Sequence, residues 1–595
     1  MPFGAEFVET GVRFSLWAPT ASAVTLVLDG RDYEMPKGDA GWHSLFVEGA
    51  KPGGRYSYRI SDDAVPDPAS RFQPDDVKGD SAVVDPLAYE WRTTGWRGRP
   101  WEEAVIYEVH VGTATQAGTF AALAETLPDL VALGVTVVEL MPLNEFHGRR
   151  NWGYDGVLPY APDSSYGTPD DLKLLVDRAH ELGLMMMLDV VYNHFGPVGN
   201  HLSKYASTFF TDRHQTPWGA GLNVDGADGK PVREFFVENA LYWLDEFQFD
   251  GLRFDAVHAI LDDSGEHLIA ELGRRCRALD PDRHIHLVLE NEHNQARWLE
   301  RDSTGRPPLH TAQWNDDIHH CWHVLLTGEA EAYYADFAND PVGRLRRALA
   351  EGFVYQGEPT AHGGGKARGT PSGHLPPSAF VAFLQNHDQI GNRAMGDRLS
   401  AAPERLSLGR AGLLLSPQIP MLFMGEEWGA STPFQFFVDF SDDPDLSRAV
   451  REGRRREFRH FAAFASVETA ETIPDPTAEA TFRASRLDRS EVGRAPHDGI
   501  LAETRALLGL RRQAVVPLTK SRYLGSEAAA PHSEAIDVTW RYEAGTLRFC
   551  ANFGGAPAAV SPRPGERIVW ASADLSAQPT TLPAWTGFFT VGDRT

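Results

Sequence analysis

Cysteine is scarce: three residues in 595, Cys276, Cys321 and Cys550, odd in number and far apart. That excludes a disulfide framework and fits a reducing compartment, so three free buried thiols are expected. Positive charge is in deficit too. With 56 basic against 82 acidic residues the net charge is −26, a surface field that repels phosphate backbones and argues against nucleic acid as a partner. There is no uninterrupted apolar run of about 18 residues, the length a membrane-spanning helix needs, so no membrane partner is expected. The opening MPFGAEFVETGVRF lacks a basic segment followed by an apolar one, which makes the cytoplasm the default compartment. The one basic cluster, REGRRR (451–456), stands beside acids at helical spacing and reads as a solvated helix face.

What is present suffices for a large core: 42% of residues are apolar. The length is too great for one compact domain at about 150 residues each. Over residues 1–97, short alternating runs such as VRFSLWAP, AVTLVLDG and RYSYRI predict an N-terminal β-sandwich, whose last stretch, Asp62 to Gly98, is rich in Pro, Gly and charge and reads as an ordered linker. From 98 to 515, apolar runs alternate with helical stretches: AVIYEVHV, VTVVELMP, LMMMLDVV, FDGLRFDAV and HIHLVLE, then 311–316, SAFVAFLQNHD and IPMLFMGEE. Eight such units predict a central (β/α)8 barrel, with an inserted subdomain near 193–232 and a helical extension after 428. Short alternating runs return over 516–595 and predict a C-terminal antiparallel β-sandwich.

Four blocks place carboxylates at or just past the ends of apolar runs: DVVYNH (189–194), GLRFDAVH (251–258), LVLENEHN (287–294) and FLQNHDQIGN (383–392). Strand ends converge on one face of a parallel barrel, so acids distant in sequence meet in one pocket. Arg253 and Asp255 stand two apart on a strand and share a face. A neighbouring arginine lowers a carboxylate's pKa, which suits Asp255 as an anionic nucleophile. Like charges around Glu290 favour its protonated form, as a general acid needs. Asp388, beside His387, can hold sugar hydroxyls and stabilise positive charge at an anomeric carbon, and His194 adds a donor. A glycosidase that retains configuration uses such a pair.

These blocks resemble the conserved regions of the α-amylase family of glycoside hydrolases. The resemblance implies the barrel and double displacement on α-glucans with water as second substrate, a chemistry that requires no cofactor; no residue is assigned as a metal ligand. It implies Asp255 as nucleophile, Glu290 as acid/base and Asp388 as transition-state stabiliser, with Arg253, His194 and His387 lining the bound ring and Gln389 and Asn392 in the same binding block. The N-terminal domain resembles the module that precedes the barrel in branching and debranching enzymes. The segments GRRNWGYDGVLPYAPDSSYGTPDDL (148–172), TPWGAGLNVDG (216–226) and TAQWNDDIHH (311–320) are similar to the subfamily that releases trehalose from maltooligosyltrehalose. That implies Tyr154 stacked on the sugar at the cleaved position, Asp316, Asp317, His319 and His258 towards the trehalose side, and Trp218 as a further stacking platform. Branching or α-1,6 debranching is the alternative enzyme reading, and a barrel that binds without turnover the non-enzymatic one. The Trp314 to His320 segment argues against the first, and the presence of all three acids against the second.

Three further signals are weaker. His319, His320, Cys321 and His323 have helical metal-ligand spacing, yet lie in the sugar-binding segment. HGGGKARG (362–369) lacks the first Gly of a phosphate loop and has Ala367 where that loop needs Ser or Thr, so it reads as a flexible loop over the substrate. Glu426 and Glu427, after the last strand, admit either a substrate-side or a structural role.

Overall fold

Eight apolar runs close into a barrel of parallel strands: β1 (Ile106–Val109), β2 (Val137–Leu140), β3 (Met185–Val190), β4 (Gly251–Phe254), β5 (His286–Leu289), β6 (Ala312–Trp314), β7 (Phe380–Ala382) and β8 (Ile419–Phe423). β8 closes on β1 through the pairs Met421 to Ile106 and Phe423 to Glu108. The architecture comes from a computed structural model, which describes residues 2–458, 471–572, 575 and 579–593. Helices cover the outer face, so these strands are buried on both sides and read as continuous apolar runs rather than alternating ones. The charged residues that interrupt the runs are Glu108, Glu139, Asp189 and Arg253, all buried. Two pairs of them sit in register on adjacent strands, Glu108 beside Glu139 and Asp189 beside Arg253.

The crossovers carry α1 (Leu127–Leu133), α2 (Pro169–Glu181), α3 (Gly229–Asp245), α4 (Leu268–Leu279), α5 (Asp316–Thr327), α6 (Pro341–Glu351), α7 (Pro403–Leu415) and, past β8, α8 (His497–Leu510). A capping box between Thr168 and Asp171 starts α2. Between β5 and β6 the chain has only the single turn Ala296–Leu299, a departure from strict alternation. The long insertion after β3 contains the hairpin Phe210–Thr216 and Gly219–Leu222.

On the N-terminal side a three-stranded sheet (Gly4–Val8, Gly11–Trp17, Trp42–Glu48) faces a second sheet built on Val24–Leu28 and Arg55–Ile60. This sandwich docks on the barrel through aromatic contacts. The Phe3 ring meets that of Phe235 of α3 at 5.3 Å, and the Arg71 guanidinium lies 4.6 Å from both the Tyr160 and Tyr242 rings. The C-terminal domain is a five-stranded antiparallel sheet with a small two-stranded partner. Its first strand is Tyr523–Ala529, later than the expected start near 516, because Val516–Thr519 prolongs the helical path of α8. Among the described residues no helix is long and apolar enough to cross a membrane, and all three cysteines are free and buried.

The basic cluster at 451–456 departs from a fully solvated helix face. Arg454 is buried and its Nη2 donates to the carbonyls of Gly391 (2.6 Å) and Arg393 (3.0 Å), steadying the turn that carries His387 and Asp388.

Candidate active site

The site is built upward from Arg253. A guanidinium with no solvent exposure must be paired, since an isolated buried charge costs several kcal/mol. Its Nη1 lies 2.6 Å from Asp189 Oδ2 and 2.9 Å from Asp255 Oδ1, and its Nη2 lies 2.7 Å from Glu290 Oε2. The Trp314 ring packs 4.0 Å from its centre. One cation therefore gathers acids from the ends of β3, β4 and β5. Asn193 Nδ2 donates to Asp255 Oδ2 at 2.7 Å. Ala256 adopts a left-handed conformation (φ 39°), which turns its N–H onto Glu290 Oε2 at 2.8 Å. This left-handed turn directly after Asp255 sets a fixed donor on the Glu290 carboxyl.

The electrostatics differ from the sequence expectation at Asp255. Its pKa is raised, because burial outweighs the pull of Arg253, and Asp189 adds to the rise. Glu290 is also raised, first by burial and then by the charge of Asp255, while Arg253 opposes. Two buried acids on one cation behave as a coupled pair. Each carboxyl has one amide donor, Asn193 on Asp255 and the Ala256 N–H on Glu290, but a hydrogen bond with Glu290 lowers the pKa of Asp255, so the shared proton resides on Glu290.

Around this pair stand the residues of the ring-binding end. His387 Nδ1 is bonded to Glu108, and Glu108 Oε2 also accepts the His387 backbone N–H at 3.1 Å. Burial opposes protonation of this imidazole, but Glu108 and Asp388 raise its pKa to about 9, which keeps it cationic at neutral pH. Tyr154 stacks on His387 (5.1 Å, 23°) while its hydroxyl donates to Asp189 at 2.6 Å. Trp218, 52% exposed in the turn of the inserted hairpin, lies flat on His194 (4.3 Å, 3°). The side chain of Asn386 caps the N–H groups of Asp388 (2.9 Å) and Gln389 (3.3 Å), and Asn392 Nδ2 donates to Asp388 Oδ1 at 3.1 Å. Tyr154, His194, Trp218, His387, Asp388, Gln389 and Asn392 all line one cleft of about 1150 Å³ with Asp255 and Glu290. Arg253 does not line it: this arginine lies beneath the acids rather than against the bound ring.

The far end of the cleft is walled by His258, Asp316, His320, Tyr333, His362 and Arg368. Two residues expected there are elsewhere. Asp317 is fully buried under the wall, where its carboxylate accepts from the Val354 backbone N–H at 2.8 Å. His319 is fully buried too, with Nδ1 2.7 Å from the Leu384 carbonyl and Nε2 3.1 Å from the Tyr334 hydroxyl. The imidazoles of this segment do not converge on a point, since His323 is engaged separately with Glu329 at 2.8 Å and His320 faces the cleft. HGGGKARG is part of a hairpin that forms the wall, with Gly357 N–H bonded to the Arg368 carbonyl at 2.8 Å and Thr360 N–H to that of Lys366 at 3.1 Å. Glu426 and Glu427 lie behind the cleft. Glu426 accepts the Phe423 N–H (3.1 Å) and Glu427 the Tyr107 hydroxyl (2.9 Å).

Asp316 carries a pH prediction. Burial first, then the charges of Glu290 and Asp388, push its carboxyl up to about 8 against the pull of Arg368. Below that pH it is a neutral donor facing the cleft; above it, it becomes an added anion beside Glu290. Asp316→Asn keeps a donor without the charge, so its kcat/KM relative to wild type rises as pH goes from 7 to 9. A ratio that stays flat or falls contradicts this role.

The sequence reading assigns no site role to Glu108, Asp189 and Asn193, which stand behind the cleft lining and bond its key residues, nor to His320, Tyr333 and Arg368, which line it. A lone acid inside an apolar strand was the available signal for Glu108 and Asp189. For a cation, the group His214, Asp225 and Asp263 has ligand atoms within 4.8 Å of one another, but Arg213 already lies 3.2 Å from Asp225 and supplies the positive charge.

Comparison with known proteins places the chain in a family. Residues 2–88 match carbohydrate-binding module 48 (isoamylase N-terminal domain), 92–218 the alpha amylase catalytic domain, and 524–589 a domain of unknown function, DUF3459. The malto-oligosyltrehalose trehalohydrolase of Deinococcus radiodurans is 43% identical over 86% of this chain and 83% of its own. That of Saccharolobus solfataricus is 40% identical over 86% and 87%. The solved structure of a putative alpha amylase from Salmonella typhimurium is 46% identical, covers 99% of both chains and superposes with a TM-score of 0.94. The chain thus belongs to the malto-oligosyltrehalose trehalohydrolase family of α-amylase-type glycoside hydrolases.

Proposed function

We propose that the protein hydrolyses the α-1,4 bond between a maltooligosyl chain and a terminal trehalose, releasing trehalose with retention of configuration at the cleaved carbon. The observation that carries this reading is the pair Asp255 and Glu290, held by the two terminal nitrogens of one buried guanidinium at the floor of the cleft. The two carboxyls are within hydrogen-bond reach of each other, closer than the spacing that in an inverting enzyme admits a water between the base carboxylate and the anomeric carbon. Asp255 attacks the anomeric carbon while Glu290 gives its proton to the departing trehalose oxygen, and a glycosyl ester forms. Glu290, now ionised, takes a proton from water, which attacks the same carbon and frees Asp255. Asp388 and the cationic His387 hold the ring hydroxyls through both steps.

Trehalose has no reducing end and offers hydroxyls on both rings. The polar wall of His258, Asp316, His320 and Arg368 supports recognition of such a unit over a plain glucan end, because a site built to bond hydroxyls leaves polar groups unpaired with the wrong ligand. Proton NMR during the first minutes of hydrolysis of maltotriosyltrehalose tests the stereochemistry. The new reducing end appears first as the α-anomer; a β-anomer appearing first would overturn the double displacement.

A further inference from the structure

We propose that Asp317 is a positioning residue: it fastens the hairpin 356–369 to the loop that carries Glu290 and so sets the shape of the trehalose-side wall. The inference rests on the reading of the far end of the cleft as the trehalose side. Asp317 has no solvent exposure and does not itself line the cleft. Its Oδ2 accepts from the backbone N–H groups of Val354 (2.8 Å) and Tyr355 (3.3 Å), where the chain enters the hairpin, and from Asn294 Nδ2 (3.2 Å). Its Oδ1 lies 3.1 Å from Nη2 of Arg368, where the chain leaves the hairpin.

The same arginine donates through Nε to the Glu292 carbonyl at 3.0 Å. Asn294 in turn accepts the Thr370 N–H at 3.1 Å. Both ends of the hairpin are thereby tied to residues 292–294, only two to four positions beyond Glu290. The tip is held separately, by Asp336 accepting from Ala361 and His362 N–H groups at 2.9 and 3.1 Å. The hairpin is exposed from 361 to 367 and is held by polar contacts, these and the ion pair of Glu358 with Arg347 of α6 at 2.6 Å, so its position is sensitive to losing the charge at Asp317. Because the hairpin reaches substrate and Asp317 does not, loss of Asp317 acts on binding at the far end rather than on the chemistry at Asp255.

The test is Asp317→Asn, which keeps the side chain's size and one acceptor oxygen but removes the charge facing Arg368. Expected are a rise of about tenfold in KM for maltotriosyltrehalose with kcat changed by less than about threefold, a fall in the preference for that glucan over maltopentaose, and faster amide exchange confined to 354–370. Asn294→Ala removes the Nδ2 donor to Asp317 at a residue that does not line the cleft, and it should give the same pattern if the first variant fails to fold. Unchanged preference in a folded variant, or a loss in kcat with KM unmoved, overturns the proposal. Wild-type enzyme run alongside separates the two readings: equal cleavage of both glucans by the wild type overturns the trehalose-end assignment, whereas wild-type discrimination that both variants retain overturns the role of Asp317.

Discussion

Asp255→Ala loses turnover of maltotriosyltrehalose by a factor on the order of 10⁴ or more while the barrel stays folded. The size follows from chemistry, since without this carboxylate no covalent intermediate forms and the remaining acids can only bind and protonate. The folded state survives because Arg253 retains Asp189 at 2.6 Å and Glu290 at 2.7 Å. Removing an acid whose burial raises its pKa also relieves a cost, so thermal unfolding should shift by no more than a few degrees. The vacated space gives a positive readout as well. Azide can enter from the nucleophile's side and attack the anomeric carbon while Glu290 protonates the leaving oxygen, so added azide restores cleavage and yields the β-glycosyl azide. Turnover near the wild-type level without azide, or an α-azide product, would sink the assignment of Asp255.

Glu290→Gln is the second large effect. General-acid catalysis contributes about 10²- to 10⁴-fold, and that loss should appear in full for maltotriosyltrehalose, whose trehalose oxygen departs poorly without a proton. The amide can still accept the Ala256 N–H through its oxygen, now bonded at 2.8 Å, so the site keeps its shape. With an α-maltosyl fluoride the leaving group needs little protonation, and formation of the glycosyl ester should recover most of the loss. The ester then waits for water without its base, which gives a burst of fluoride followed by slow turnover. Equal impairment on both substrates would point to another acid.

The blocks were legible because charge inside an apolar run is costly and stands out. Asp255, Glu290 and Asp388 each end a strand-like segment, and the strands lie where the eight runs predict them. The exact surroundings were not legible. Sequence shows Arg253 two residues from Asp255, but not that both are buried, and burial decides the direction of the shift at Asp255. Asp316 and Asp317 look equivalent on paper, yet on α5 successive residues are turned by about 100°. One faces the cleft and the next faces the core. The hairpin at 356–369 was hidden for another reason. Its glycines and charges read as a loop, and what fixes it lies in acids far away in sequence, at 317 and 336.

Whether hydrolysis is directed to a trehalose end is measured most directly by giving the purified protein maltotriosyltrehalose and, separately, maltopentaose, which contain the same number of glucose units. Products are resolved by chromatography at early times. Rapid release of trehalose and maltotriose from the first, with little attack on the second, is the predicted result. Equal cleavage of the two would contradict the account and leave a general α-glucanase built on the same pair of acids.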